Sequence, residues 1–273
     1  MPRMMCGIRT RSPVTDSRPN LMNTFRAIVF SSVVAGFVVG TIVTVIQQFG
    51  TVPLILKAEV FEKAAERHDR EVAPAAAQGG VVEHSHAEHQ HAAEAWEPQD
   101  GLERNAYTAA ANVLTAIGFS LLLAAVFAIR SGNAGSSVSW HEGLTWGLAG
   151  FAVFTLAPGL GLPPELPGVP AAPLLSRQIW WVLAAATTAA GLGLIFFRRS
   201  VPASIAGLIL IVLPHIIGAP ELERVETNVP SSLSHQFVVA VTLTSLIFWF
   251  ILGSLTSVAF AHFERDALGA APT

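Results

Sequence analysis

Six apolar stretches divide this chain, at about 27–49, 107–129, 144–162, 179–197, 201–218 and 236–261, with polar segments between them. A helix of ~20 apolar residues covers the ~30 Å of hydrocarbon in a bilayer. Inside a bilayer every backbone N–H and C=O must be satisfied within the protein, so long apolar runs without period-two alternation read as helices. The pattern predicts an all-α, polytopic helical membrane protein of about six transmembrane spans. Five spans plus a re-entrant segment is the alternative. The 201–218 stretch is short and holds Pro214, which removes a backbone hydrogen bond that neighbouring groups must replace. The predicted organisation is a basic N-terminus at 1–24, a first span at 25–49, a polar loop at 50–106, a bundle at 107–261 and a tail at 262–273.

Charge orients the spans. Arg3, Arg9, Arg11, Arg18 and Arg26 precede or open the first span, and Arg130, Arg198, Arg199 and Arg265 fall on the same side of a six-span arrangement. Basic residues near helix ends mark the cytoplasmic face, so both termini are expected to be cytoplasmic. The other side then carries the 50–106 loop, Glu165, Arg177 and the acidic Glu221, Glu223 and Glu226. Trp180 and Trp181 are expected to be interfacial anchors. Arg198-Arg199-Ser200 reads as a tight basic turn. The first apolar run is too long for a signal-peptide core, and Met22 is a plausible start of translation.

Composition supports the membrane reading, with 52% hydrophobic and 13% charged residues and a mean hydropathy of +0.52. A net charge of -3 gives no footprint for nucleic acid. The single cysteine, Cys6, excludes an internal disulfide and a thiolate metal cage. No GxxxxGK[ST] phosphate loop occurs, so the chain has no ATP motor of its own. HExxH, GxSxG and Cys/His pairings are also missing, and no enzymatic constellation stands out. Gly36 and Gly40 form a small-xxx-small pair, read as ordinary helix packing rather than a dimer face.

The chemistry concentrates in the polar loop. Glu83-His84-Ser85-His86-Ala87-Glu88-His89-Gln90-His91 puts four imidazoles and two carboxylates into nine residues. His84, His86, His89 and His91 at these spacings can chelate one divalent transition metal, with Glu83 or Glu88 adding oxygen. A solvated linker with incidental histidines is the plainer reading. Such composition cannot bury enough apolar surface to order itself, and the loop is expected to be mobile without metal. A line of neutral polar residues, Gln47, Gln48 and Asn112, is expected to make interhelical hydrogen bonds.

Three further candidates sit near span ends on that same side. His215 follows Pro214 in an apolar segment, where an ionisable residue suggests a function facing the bundle interior. His235 opens the last span. Glu165 lies in the Pro- and Gly-rich stretch 158–168, whose irregular backbone is tolerated at membrane depth only where protein or water covers it. Each has a plain alternative: an interfacial hydrogen bond for His215, a rigid loop for Glu165. His141-Glu142 and His262 with Asp266 lie on the opposite side, and a solvated tail is the plainer reading of the latter pair.

These residues also carry a resemblance. Phe25-Arg26-Ala27-Ile28-Val29-Phe30-Ser31-Ser32, Gln47-Gln48-Phe49 with Val52-Pro53-Leu54-Ile55-Leu56, Ala111-Asn112-Val113-Leu114-Thr115, the 158–168 stretch and Leu213-Pro214-His215 with Gly218-Ala219-Pro220 resemble the CbtA family of cobalt transporter subunits. The resemblance runs from about Met22 to Ala261. It implies cobalt uptake linked to cobalamin synthesis at a bacterial cell inner membrane, with a small single-span, histidine-rich CbtB-like subunit as partner. The His-x-x-x-x-Asp-His signature of nickel/cobalt permeases does not occur here.

The expected function is therefore inward movement of Co2+ as cargo, with no permanently bound cofactor and the lipid bilayer as surroundings. His84, His86, His89 and His91 would collect metal, and Glu165, His215 and His235 would pass it. A non-transporting metal-binding or sensor subunit, or a nickel or zinc transporter, is the alternative.

Overall fold

The computed structural model describes residues 21–76, 98–134, 137–222 and 227–269. Every regular element among them is helical. In order these are α1 (Leu21–Phe49), α2 (Val52–Ala76), α3 (Leu102–Ala134), α4 (Trp140–Phe151), a π-helical turn (Ala152–Leu156), α5 (Ala157–Gly161), α6 (Leu174–Arg198), α7 (Val201–Ile217) and α8 (Ser231–Gly269). Among the described residues five helices are long and apolar enough to cross a membrane: α1, α3, the continuous α4–α5 rod, α6 and α8. The protein is thus an all-helical, multi-pass membrane protein. The sixth apolar stretch is α7, a helix of 17 residues, which reaches about 26 Å at ~1.5 Å per residue. It is the shortest of the six apolar stretches and runs from the Arg199 turn to the end where α8 begins.

Glycines decide which helices touch. Side chains at Gly36 and Gly40 would collide with the α3 backbone at Ile117 and Val113, so the small-xxx-small pair is the seam between α1 and α3. A second seam, not singled out in the sequence, joins α4 to α8. Gly143 and Gly147 face Gly253 and the Trp249 backbone, and Gly150 lies under the Trp249 ring. Without a hydrophobic force between helices in lipid, close backbone approach is what holds such pairs. Helices α1, α3, α4 and α8 form the main bundle around Phe127, Leu252 and Phe260. The α6–α7 hairpin packs on itself through Gly191 and Gly207. It turns at Arg199, whose φ of 43° is left-handed, so the basic turn forms as expected.

Prolines shape the rest. Pro158 has no N–H for the Phe154 carbonyl, and the helix before it widens so that the Ala157 N–H reaches Ala152 instead. After α1 the chain stops at Gly50-Thr51, and Pro53 opens α2 in the first turn, where its missing N–H is no loss.

Within the polar segment after Gly50, Val52–Ala76 is helical. The reason is tertiary. Leu54, Ile55, Ala58 and Phe61 share one face and pack on Leu166, Val229, Leu233 and Phe237, a surface that local composition does not reveal. The histidine run 83–91, with His84, His86, His89 and His91, lies outside the described residues.

Candidate functional site

Two regions at the α2 end of the molecule gather polar chemistry. The first is a cavity of about 720 Å3 between the end of α1 and the starts of α2, α3 and α8. Its polar lining includes Gln47, Gln48, Asn105, Asn112, Thr244 and Ser245. Asn112 Nδ2 donates to Gln47 Oε1 at 2.7 Å and to Thr44 Oγ1 at 3.0 Å. Gln48 Nε2 donates to Asn105 Oδ1 at 3.2 Å. The three amides read as interhelical bonding groups do tie α1 to α3. They also wall the cavity.

At its rim Arg104 bonds Glu59 of α2 and, at 3.2 Å, Asp100. The guanidinium joins α2 to α3 across the mouth. Its side chain is about one-third exposed, so this is a half-solvated contact of modest strength.

The second region is built from the Pro- and Gly-rich stretch and the α6–α7 hairpin. Trp180 is buried, and its Nε1 donates to the Pro214 carbonyl at 3.3 Å. A side chain at Gly161 would run into the same indole. Trp180 is therefore not the interfacial anchor expected from its position. It is the pin that sets the loop after α5 against α7, whereas Trp181 stays partly exposed at 38%. The His215 ring meets the edge of Trp180 with centroids 5.7 Å apart. Glu165 pairs with Arg177 Nη2 at 2.9 Å.

The structure places the candidate ligands at one end without joining them. Glu165 is held by Arg177, His215 is half-buried against Trp180, and His235 is exposed at the start of α8. Among the described residues no three His, Cys, Asp or Glu side chains come together. None of the three lines the cavity.

The opposite end is structural. Ser139 and Glu142 form a capping box that starts α4. Glu142 also accepts from Arg130 at 3.0 Å, and Ser131 bonds Glu264. Of His141-Glu142, Glu142 is thus half of a helix cap. His262 and Asp266 lie 3.4 Å apart on an exposed face.

The residues missed by sequence reasoning are Thr244, Ser245 and Arg104. Thr244 is surrounded in sequence by Val241, Thr242 and Leu243 and gives no local signal. Arg104 matters through a contact 45 residues away.

The family model described as "Probable cobalt transporter subunit (CbtA)" matches residues 25–261, almost all of the chain. The chain belongs to the CbtA family. No curated protein and no solved structure matches it. Membership of CbtA makes the protein a probable cobalt transporter subunit, with Co2+ as cargo and, by the word subunit, a partner. The transporter-subunit family implies a non-enzymatic role. In this CbtA chain both the walled cavity and the Glu165–His215 region fall inside the matched segment.

Proposed function

We propose that the protein carries Co2+ inward across a bacterial inner membrane, as cargo destined for cobalamin synthesis, together with a small single-span CbtB-like subunit. The observation that carries this reading is the CbtA match over residues 25–261. The charge pattern supports the direction. Arg26, Arg130, Arg198, Arg199 and Arg265 belong to the end opposite α2, so the positive-inside rule puts the α2 end outside.

On this reading His84, His86, His89 and His91 raise the metal concentration at the outer face. Glu165, His215 and His235 act as few, separated and weak ligands on the way in. Weak, successive contacts suit conduction, because a tight cage would hold the ion rather than release it. With no nucleotide-binding loop in the sequence, the drive is the membrane potential. A divalent ion gains about 4.6 kcal/mol per 100 mV.

Radioactive cobalt uptake into vesicles tests the proposal, with the protein alone and with its single-span partner. Saturable uptake that is lost in His215→Ala, and weakened only at low metal when His84, His86, His89 and His91 are all alanine, is the expected result. Metal bound by the protein with no uptake in either preparation would replace transport by a metal-holding or sensing role. Stronger competition by nickel or zinc than by cobalt would reassign the cargo.

A further inference from the structure

We infer that the cavity at the α2 end binds a hydrated divalent cation, held through its coordinated waters by the neutral oxygens of Asn112, Thr244 and Ser245. The inference deepens the transport reading and rests on it for the identity of the ion, Co2+.

Hydroxyls in the interior of these helices normally bond back to their own backbone. Thr41, Thr44, Thr108 and Thr242 each donate to the carbonyl four residues earlier. Thr244 breaks this habit. It is only 7% exposed, lines the cavity, and makes no hydrogen bond among the described residues. Ser245 beside it makes none either and lines the same space. Both hydroxyls face the cavity, so their hydrogen-bonding capacity is available to whatever occupies it.

Asn112 lines the same space, and the bonding network fixes which of its amide atoms is left over. Thr44 Oγ1 spends its hydrogen on the Gly40 carbonyl at 2.8 Å, so toward Asn112 it can only accept. Asn112 must therefore offer Nδ2, and its second N–H goes to Gln47 Oε1. Oδ1 is left as an acceptor with no protein donor.

These groups match the outside of an aquo ion better than a bare one. Waters bound to a divalent cation are strong donors, and the cavity offers amide and hydroxyl oxygens that accept. Among the described residues no imidazole lines it, and the one carboxylate that does, Asp100, is tied to Arg104. Direct capture of a first-row metal favours imidazole or several carboxylates. Six coordinated waters need roughly 180 Å3 at ~30 Å3 each, and the cavity of about 720 Å3 has room for the whole shell. Asp100 and Glu59 beside Arg104 leave the mouth with one excess negative charge.

Hexamminecobalt(III) tests the site, because its ammonia ligands do not exchange and it can bind only through their N–H groups. Its equilibrium binding is measured on the full-length protein in lipid nanodiscs. Thr244→Val and Asn112→Leu are each expected to weaken binding about tenfold, one hydrogen bond to a charged group apiece, and Ser245→Ala to weaken it as well. Thr41→Val removes an exposed hydroxyl bonded to Phe37 outside the cavity and is expected to leave binding unchanged. Thr244 bonds nothing among the described residues, so its valine variant removes no bond between them.

Equal affinity in all variants, or no binding to the wild type, overturns the site whether or not vesicles take up cobalt. Binding that responds to Thr244 and Asn112 without any uptake keeps the site and removes the transport reading instead.

Discussion

The indole N–H of Trp180 donates to the Pro214 carbonyl at 3.3 Å, tying α6 to the one kink-prone turn of α7 beside His215. The Gly218 N–H reaches the same carbonyl at 3.1 Å, so the oxygen is not orphaned if the indole leaves. Trp180→Phe is therefore expected to lower stability by only about 1 kcal/mol, the value of one net hydrogen bond. Trp180→Ala also empties the space beside Gly161 and should cost ~3–5 kcal/mol. Thermal unfolding in detergent distinguishes the two. Equal losses would mean that the N–H, not the ring, does all the positioning.

The glycines give a sign test. Gly40 lies against the Val113 backbone, while a side chain at Gly118 would meet nothing within 4 Å. Gly40→Ala is expected to destabilise by about 1–3 kcal/mol, as overpacking does. Gly118→Ala should be neutral or stabilising by up to ~1 kcal/mol. Unfolding midpoints of the two variants should move in opposite directions or, at the least, by clearly different amounts.

Glu165 has two readings that one pair of variants separates. The ion pair with Arg177 has both side chains about 30% exposed, so by itself it contributes roughly 0.2–1 kcal/mol. If pairing is its whole role, Glu165→Gln and Arg177→Gln reduce stability alike and leave uptake alike. The transport proposal expects Glu165→Gln to reduce cobalt uptake more than Arg177→Gln does, read as initial rates in vesicles.

Metal capture by His84, His86, His89 and His91 should depend on pH. Only neutral imidazole binds metal, so protons compete, and affinity is expected to fall as pH drops through about 6.5. Cobalt titration of the intact protein between pH 5.5 and 7.5, against the four-alanine variant, reads this directly. A pH-independent difference between the two would remove imidazole from the account.

Much of the architecture is legible in the sequence because hydrocarbon is an unforgiving solvent. Apolar runs of the length seen in 27–49 and 236–261 have no alternative to helix, and the run with Pro214 is legible as the shortest of the six. Gly36 and Gly40, Gln47, Gln48 and Asn112 also speak locally, since small or amide side chains in such runs serve helix contacts. The α4–α8 seam was less visible, because Gly143, Gly147 and Gly150 matter only through Trp249 and Gly253, about a hundred residues away. The helix after Gly50 hides for the same reason.

Residue order alone is enough to read a helical membrane protein of the CbtA kind, with imidazoles crowded into one polar stretch. Apolar length, charge placement and residue spacing are properties of neighbouring positions, and those suffice. It takes the packed helices to show that Trp180 is a buried pin, that Glu165 pairs with Arg177, and that Asn112, Thr244 and Ser245 share a cavity. A hydroxyl at Thr244 means nothing until α1, α2 and α3 stand around it, because whether it bonds its own backbone or faces a cavity depends on what packs beside it.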